Sequence, residues 1–308
     1  MIFQRKTFYP LALTSIGVLL FLAIYLPSLN APFQFDDYST IVENPTIKNF
    51  QHLYWLWHSD PSRFLTHLSF AVNYHLGGLD VRGFHVFNWL IHLGVSFILF
   101  LIFKSVLAEI FRKYWGEAHA TLVIFLCALV YLCHPVQTSA VTYLSQRSTL
   151  LAAFCYLSAI YFYVVYRQRD ERSYYFFSLA VAAVGLFTKP IIITLPFALW
   201  LVEICFLSKK KDKRITLPLT LVPFFIMLII VPMLLVLWKY KSFDISRFLD
   251  LTRETESISR KDYLLTQFNV MVTYLRLLFL PINQNLDYNY PLSRSFFDFQ
   301  RNLSLWCV

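Results

Sequence analysis

The sequence predicts an all-α polytopic membrane protein. Hydrophobic residues make up 57% of its 308 residues and charged residues only 15%, a balance outside the range of soluble proteins. About seven apolar runs are able to cross the roughly 30 Å hydrocarbon core of a bilayer. These runs are Phe8–Leu29, Phe84–Phe103, Ala118–Cys133, Thr149–Tyr166, Tyr174–Phe187, Ile191–Leu207 and Leu217–Trp238.

The first apolar run reads as an uncleaved span. Arg5 and Lys6 precede it, as in a signal peptide, but Pro27 and Pro32 follow in place of a small-residue cleavage site. Later basic residues lie in short connections, which the positive-inside rule places in the cytoplasm. They are Lys104, Arg112 and Lys113, then Arg167, Arg169 and Arg172, then the cluster Lys209–Arg214. The opposite side then receives two long segments, 31–83 and 239–299.

The net charge of +9 is spread over these connections, so we read it as a topology signal and expect a lipid bilayer, with no nucleic acid, as partner. The cysteines show no CxxC or Cys/His spacing, which predicts neither a disulfide framework nor a zinc site.

Both long outer segments contain amphipathic stretches. Leu53–Trp57, Phe64–Leu76 and Ile258–Leu280 mix apolar residues with polar ones at helical spacing, which predicts interfacial helices. The last residues, 296–308, read as the start of an eighth span that is cut short.

Asp36 and Asp37 are the first candidates for chemistry, because they follow the first span at the water–lipid boundary. Two carboxylates that share one site of low dielectric constant do not both ionise at their usual pKa. One of them is then suited to accept a proton. The alternative is that they are ordinary loop acids that cap the next helix.

Further polar residues accompany this pair. His85, Asn88 and His92 fall on one face of the second span, where they either line a cavity or form a hydrogen-bonded seam between helices; the seam is the favoured reading for His92. Arg147 and Lys189 are cations at outer turns, suited to a phosphate or to lipid headgroups. The remaining candidates are Arg63, His67, His134, Gln146, Arg276, Asp287 and Tyr288.

Taken together, these motifs resemble one family. The ordered set comprises Phe35-Asp-Asp37 with Asn44-Pro45, then Arg63-Phe-Leu, Asn73-Tyr, Phe84-His-Val-Phe-Asn88, His134-Pro-Val, Gln146-Arg147, Lys189-Pro190 and Asn285–Pro291. It is similar to the membrane domain of the transmembrane and tetratricopeptide-repeat O-mannosyltransferases and their bacterial relatives, within the GT-C glycosyltransferases. The resemblance implies one GT-C-like transmembrane domain over 1–308, with the tetratricopeptide repeats absent and the chain truncated.

The resemblance also implies a reaction. A mannose-like sugar would pass from a polyprenyl-phosphate carrier to an acceptor hydroxyl, on protein Ser/Thr or on a glycan. This would happen at the periplasmic face of a bacterial inner membrane, or at the lumenal face of the endoplasmic reticulum in a eukaryote.

From the residues, Asp37 is the expected base, and Asp36 is its electrostatic partner or a residue that orients the substrate. Arg147 and Lys189, with Arg276, would stabilise the leaving phosphate, and His67 and His85 would position sugar or acceptor. The scheme needs no metal, although the paired carboxylates could hold a divalent cation. Two alternatives stay open: a transporter or flippase of lipid-linked sugar, and a scaffold without catalysis.

Overall fold

The computed structural model describes residues 5–207, 217–240, 258–286, 288 and 290–295. These residues form helices, turns and loops with no strand among them, so the all-α class is confirmed. The chain divides into two compact units, 1–232 and 233–308, and each is described by itself. The single domain over 1–308 stays a prediction.

The helices are numbered in chain order. They are α1 (Arg5–Tyr25), α2 (Leu53–Ser59), α3 (Phe64–Gly77), α4 (Val81–Cys133), α5 (Gln137–Thr142), α6 (Arg147–Arg169), α7 (Arg172–Gly185), α8 (Leu195–Val202), α9 (Val222–Tyr240) and α10 (Arg260–Phe279).

Four described segments are long and apolar enough to cross a membrane: Leu13–Asn30, Val81–Cys133, Leu144–Arg169 and Pro190–Leu207. The apolar helix Leu219–Leu235 is shorter. The chain is an integral membrane protein, and the count of seven spans stays a prediction. The expected eighth span lies outside the described residues, as does the Lys209–Arg214 cluster.

α4 contains two of the predicted spans as two arms. Gly116 interrupts the helix with φ 77° and ψ 170°, a conformation that glycine adopts without a Cβ clash. His92 Nε2 donates to the Leu132 carbonyl at 3.0 Å, and Ser96 Oγ donates to the Ala128 carbonyl at 3.1 Å. From His92 to Ser96 the first arm advances by four residues, while the partner carbonyls go back by four, from Leu132 to Ala128. The two arms therefore pack antiparallel. The seam expected for His92 is confirmed.

Small residues set the packing of α6 on α7. Ser178, Ala182 and Gly185 of α7 are buried against the α6 residues around Ala152, Cys155 and Ala159. Ser178 Oγ donates to the Ala159 carbonyl at 2.7 Å. A Cβ on Gly185 would lie only 3.0 Å from the Cys155 Cβ. Small side chains therefore let the two helices approach closely, as is common within membranes.

The segment 31–83, which the charge pattern predicts to be on the outer side, folds over a small apolar cluster that includes Ile41, Ile47, Leu56 and Phe70. The helices predicted at 53–57, 64–76 and 258–280 are present as α2, α3 and α10. The start of α3 is fixed to the turn after α7. There, the Leu65 N–H donates to the Phe187 carbonyl at 2.9 Å, and Thr66 Oγ1 donates to the Thr188 carbonyl at 3.1 Å.

An ion pair between a buried carboxylate and a more exposed arginine lies near the end of α6. Arg167 contacts Glu203 at 2.8 Å, and the Tyr163 hydroxyl donates to the same carboxylate at 3.1 Å. Arg147 and Arg167 are twenty residues apart on α6, which corresponds to about 30 Å along the helix. The two ends of α6 are thus separated by about the thickness of a hydrocarbon core.

Candidate active site

Two overlapping turns carry the acidic pair. The Asp37 N–H donates to the Gln34 carbonyl at 2.8 Å, and the Tyr38 N–H donates to the Phe35 carbonyl at 3.2 Å. The turns direct Asp37 inward, where it is 1% exposed. Asp36, at the corner of the second turn, is exposed. The adjacent acids therefore occupy different environments.

The Asp37 carboxylate ties this loop to the start of α6. Oδ2 accepts the Gln34 N–H at 3.0 Å. Oδ1 accepts both the N–H and the hydroxyl of Ser145, at 2.7 and 2.5 Å. Both oxygens are thus bound by the protein itself. Asp37 therefore acts here as a structural hydrogen-bond acceptor that holds the loop on the start of α6.

Tyr143 holds Asp36 in place. Its hydroxyl accepts the backbone N–H of Asp36 at 3.0 Å and also interacts with the Asp36 carboxylate. Burial, the main cause, raises the pKa of Tyr143 to about 12, so the phenol is neutral in the physiological range. Asp36 therefore has a fixed backbone and an accessible carboxylate.

Arg147 is wholly buried, and the surrounding protein accounts for its guanidinium contacts. Nε donates to Asn88 Oδ1 at 2.7 Å, and Nη1 donates to Asn73 Oδ1 at 2.6 Å. Nη1 also contacts Ser69 Oγ, and Nη2 donates to the Phe84 carbonyl at 3.0 Å.

Aromatic rings enclose the same guanidinium. The rings of Phe70 and Phe87 lie 4.4 and 4.6 Å from its carbon, close enough for cation–π attraction. Arg147 therefore joins α3, α4 and α6, rather than reaching toward lipid headgroups or an outer phosphate.

Lys189 and Gln146 meet through Thr149. Lys189 Nζ donates to Thr149 Oγ1 at 2.8 Å, and that hydroxyl donates to Gln146 Oε1 at 2.7 Å. Thr149 follows Ser145 by about one helical turn, roughly 6 Å along the axis. The Asp37 carboxylate is therefore bound by Ser145, just before α6, and the lysine ammonium by Thr149, in the first turn of α6.

One candidate histidine is fixed in the protein interior, and a second is partly buried. His85 is fully buried, and its Nε2 donates to the carbonyl of Ala31 at 3.1 Å, which fixes the base of the acidic loop. His67, on α3, is partly buried; burial lowers its pKa, with smaller opposing and additive effects from Asp60 and Arg63. Within the described part of the chain, the Nδ1 atoms of both rings lack a hydrogen-bond partner.

The remaining candidates lie in varied places. Arg63 is exposed, 3.9 Å from Asp60, and His134 Nδ1 accepts the N–H of Val136 in the turn before α5. In the second unit, Arg276 is on α10 and the Tyr288 hydroxyl accepts the Asn285 N–H at 2.9 Å. Asp287 lies outside the described residues.

Sequence reasoning did not single out Ser145 and Thr149, which organise the site. Each is a small hydroxyl residue near the more conspicuous Gln146 and Arg147, and their spacing of four at the start of a predicted span was the available signal.

The described residues contain no cluster of three or more His, Cys, Asp or Glu side chains suited to a metal ion. Since the two carboxylates face different surroundings, the arrangement favours separate roles for them. A cation shared between Asp36 and Asp37 stays a prediction.

Comparison with known proteins finds similarity to one group. The chain is 33% identical over 146 residues to protein O-mannosyl-transferase TMTC4 of Homo sapiens, covering 42% of this chain and 20% of that protein. It is 27% identical over 195 residues to protein O-mannosyl-transferase Tmtc1 of Drosophila melanogaster, covering 59% of this chain and 21% of that protein.

The chain is similar over a longer range to a protein O-mannosyl-transferase of Caenorhabditis elegans. The two are 25% identical over 280 residues, covering 86% of this chain and 37% of that protein. The chain thus spans well under half the length of these curated relatives. No family model matches the chain, and no solved structure shows significant similarity to it.

Proposed function

Because this chain belongs to the family of the transmembrane and tetratricopeptide-repeat O-mannosyltransferases, we propose that it transfers a mannose-like sugar to protein hydroxyl groups. The relatives' names supply the sugar and the protein acceptor. The apolar helices and the cation beside α6 support a polyprenyl phosphate as carrier of the sugar, since it combines a lipid with an anionic leaving group.

One observation carries the assignment of roles: Asp36 is exposed, while Asp37 is buried with both carboxylate oxygens bound. A general base must be within hydrogen-bonding reach of the hydroxyl that it deprotonates. We therefore assign Asp36 as the base, and Asp37 as the residue that fixes the loop on α6. This reverses the roles expected from the sequence.

The reaction then follows in one displacement. Asp36 takes the proton of the acceptor hydroxyl as its oxygen bonds to the anomeric carbon of the sugar. The bond between that carbon and the phosphate oxygen breaks, and the electron pair leaves with the phosphate. Lys189 lies one helical turn from the anchored loop and stabilises the developing negative charge.

Arg147 has no direct role in this scheme, because its contacts are all internal. It orients the start of α6, and residues there bind Asp37 and Lys189. The charge pattern of the connections supports a site on the non-cytoplasmic side, since the basic residues at 167, 169 and 172 lie in or just after the opposite end of α6.

The test is sugar transfer by the purified chain in nanodiscs, with a panel of polyprenyl-phosphate sugars and a Ser/Thr-containing protein acceptor. Asp36→Asn should lower the rate by about 100-fold or more with unchanged thermal stability. Lys189→Ala should lower it by a similar factor. Asp37→Asn should lower both activity and stability.

The matched control is Asp80→Asn, because Asp80 is an exposed acid of the same outer segment and pairs with Arg82 at 2.8 Å. It should retain full transfer. If a folded Asp37→Asn variant loses transfer while Asp36→Asn keeps it, Asp37 is the base and the roles proposed here are wrong. No transfer by the native chain with any donor of the panel would contradict the proposed function.

A further inference from the structure

Phe35 has an unusual backbone for a large residue. Its φ is 43°, in the left-handed region, where a side chain with a Cβ is strained. The hydrogen bonds on both sides of it hold this conformation, because the Gln34 N–H is bound to Asp37 and the Asp36 N–H to Tyr143. Strain of this kind persists where the surroundings enforce it, and it clusters at functional sites.

The strain is not compensated by packing of the ring. Phe35 is 58% exposed and Tyr38 is 49% exposed, although both lie in a tightly bonded turn. Within the part of the chain that the structure describes, neither ring contacts another aromatic ring. A ring that serves the core would be buried, whereas these two face away from the described part of the chain and are accessible to a ligand.

The turn also places the two aromatic residues on either side of the proposed base. The Tyr38 N–H closes the turn onto the Phe35 carbonyl, which brings the two Cα atoms within about 7 Å of each other. Asp36 lies at the corner between them. Both aromatic residues therefore flank the exposed carboxylate.

We propose that Phe35 and Tyr38 form an aromatic clamp on the sugar ring of the donor. This inference rests on the proposed function. A base about 3 Å from the acceptor oxygen, and that oxygen about 3 Å from the anomeric carbon, place the sugar next to the residues beside Asp36. The lipid phosphate leaves from the far side of that carbon, so the rings face the sugar rather than the lipid.

The chemistry of a pyranose suits such a clamp. Its C–H faces are apolar and carry partial positive charge, whereas the face of an aromatic ring is negative. Stacking fixes the plane of the sugar without hydrogen bonds, and so it leaves the hydroxyl groups free for polar residues.

The experiment compares two ligands at equilibrium: a short-chain polyprenyl-phosphate mannose, and the same lipid phosphate without the sugar. The ratio of their dissociation constants isolates the contribution of the sugar. Phe35→Ala, Phe35→Gly and Tyr38→Ala should each reduce the preference for the sugar-bearing ligand by about tenfold. Phe35→Trp should retain it.

Phe35→Gly separates a binding role from a structural one. Glycine adopts a positive φ without strain, so this variant should be at least as thermally stable as the native chain while it loses the sugar preference. Loss of stability in Phe35→Gly would indicate a structural ring and overturn the clamp.

Trp55→Ala is the control, since Trp55 is 60% exposed on α2 of the same outer segment. It should leave the ratio unchanged. Equal weakening of both ligands in the Phe35 and Tyr38 variants would show contact with lipid, and overturn the clamp. Because binding does not require turnover, a native chain with the sugar preference but without transfer would contradict the proposed function and leave the clamp standing.

Discussion

Arg147 shows how a single buried residue can carry a large part of the local stability. Replacing it by Met leaves the amide oxygens of Asn73 and Asn88 without their donor. Each unpaired buried acceptor costs about 1–3 kcal/mol, so we expect the free energy of unfolding to fall by at least about 2 kcal/mol.

Arg147→Lys should recover only part of this loss, because one ammonium cannot reproduce the planar geometry of a guanidinium. Unfolding of the variants in detergent by denaturant measures the difference. Arg63→Ala is the control: that arginine is exposed, and its removal should change stability by no more than about 0.5 kcal/mol. A stable, native-like Arg147→Met variant would show that the hydrogen bonds contribute little.

His67 makes stability depend on pH. Burial lowers its pKa in the folded state, so the folded chain binds a proton less readily than the unfolded chain does. The stabilising contribution of neutral His67 to the free energy of unfolding is therefore present above a pH of about 6.5, and it is lost as the pH falls below that value. We expect the thermal midpoint to decrease from pH 7.5 to pH 5, and His67→Gln to flatten this decrease.

The control for His67 is His75→Gln, on the same helix but exposed. It should leave the slope as in the native chain. If His67→Gln shows the full native decrease, the pH dependence has another origin.

At the scale of elements, the contact between α6 and α7 depends on the absence of a side chain at Gly185. A Cβ there would lie 3.0 Å from the Cys155 Cβ and 3.1 Å from Ile192 Cδ1. Gly185→Ala should therefore destabilise the chain by about 1–3 kcal/mol, measured by thermal unfolding. Gly17→Ala is the control, because a Cβ there meets Phe125 at an ordinary 3.4 Å.

Adding Cys155→Gly to Gly185→Ala removes the atom in conflict, and so the double variant should recover part of the loss. A Gly185→Ala chain as stable as the native one would mean that the helices move apart without cost.

The elements were largely predictable from the sequence, because apolar runs must be helical in lipid. The arms of α4 extend beyond the predicted ends at Phe103 and Ala118, since Lys, Arg and Glu favour helix in water as well. The site was less predictable. Nothing in the sequence distinguishes Asp36 from Asp37, because their difference arises from a turn and from Ser145, 108 residues away.

Arg147 shows the same limit in another form. Hydropathy places an arginine at a membrane edge, whereas the groups that make its burial tolerable come from α3 and α4, 59 to 78 residues earlier in the chain. The assigned roles of the site residues remain predictions.

At the scale of the first unit, α6 connects two polar centres that should be energetically independent. Asp37 is bound near its start, and Glu203 pairs with Arg167 near its end, about 30 Å away. We expect the effects of Asp37→Asn and Glu203→Gln on the free energy of unfolding to add within about 0.5 kcal/mol.

Asp37→Asn combined with Ser145→Ala is the contrasting pair, since these residues are in direct contact, and their effects should not add. Denaturant unfolding of the three single variants and the two double variants measures both coupling energies. Strong coupling between Asp37 and Glu203 would show that α6 transmits changes from one side of the membrane to the other.

The break at Gly116 has a consequence for biogenesis. One residue, Gly116, separates the two arms of α4, and His92 and Ser96 of the first arm bond to carbonyls of the second. The polar side chains of the first arm would therefore lack these partners if that arm entered the lipid alone. We expect the translocon to release them together as a helical hairpin, only after Cys133 has left the ribosome. Nascent chains of increasing length, arrested on the ribosome and probed for membrane integration, would show one late step for both arms rather than two.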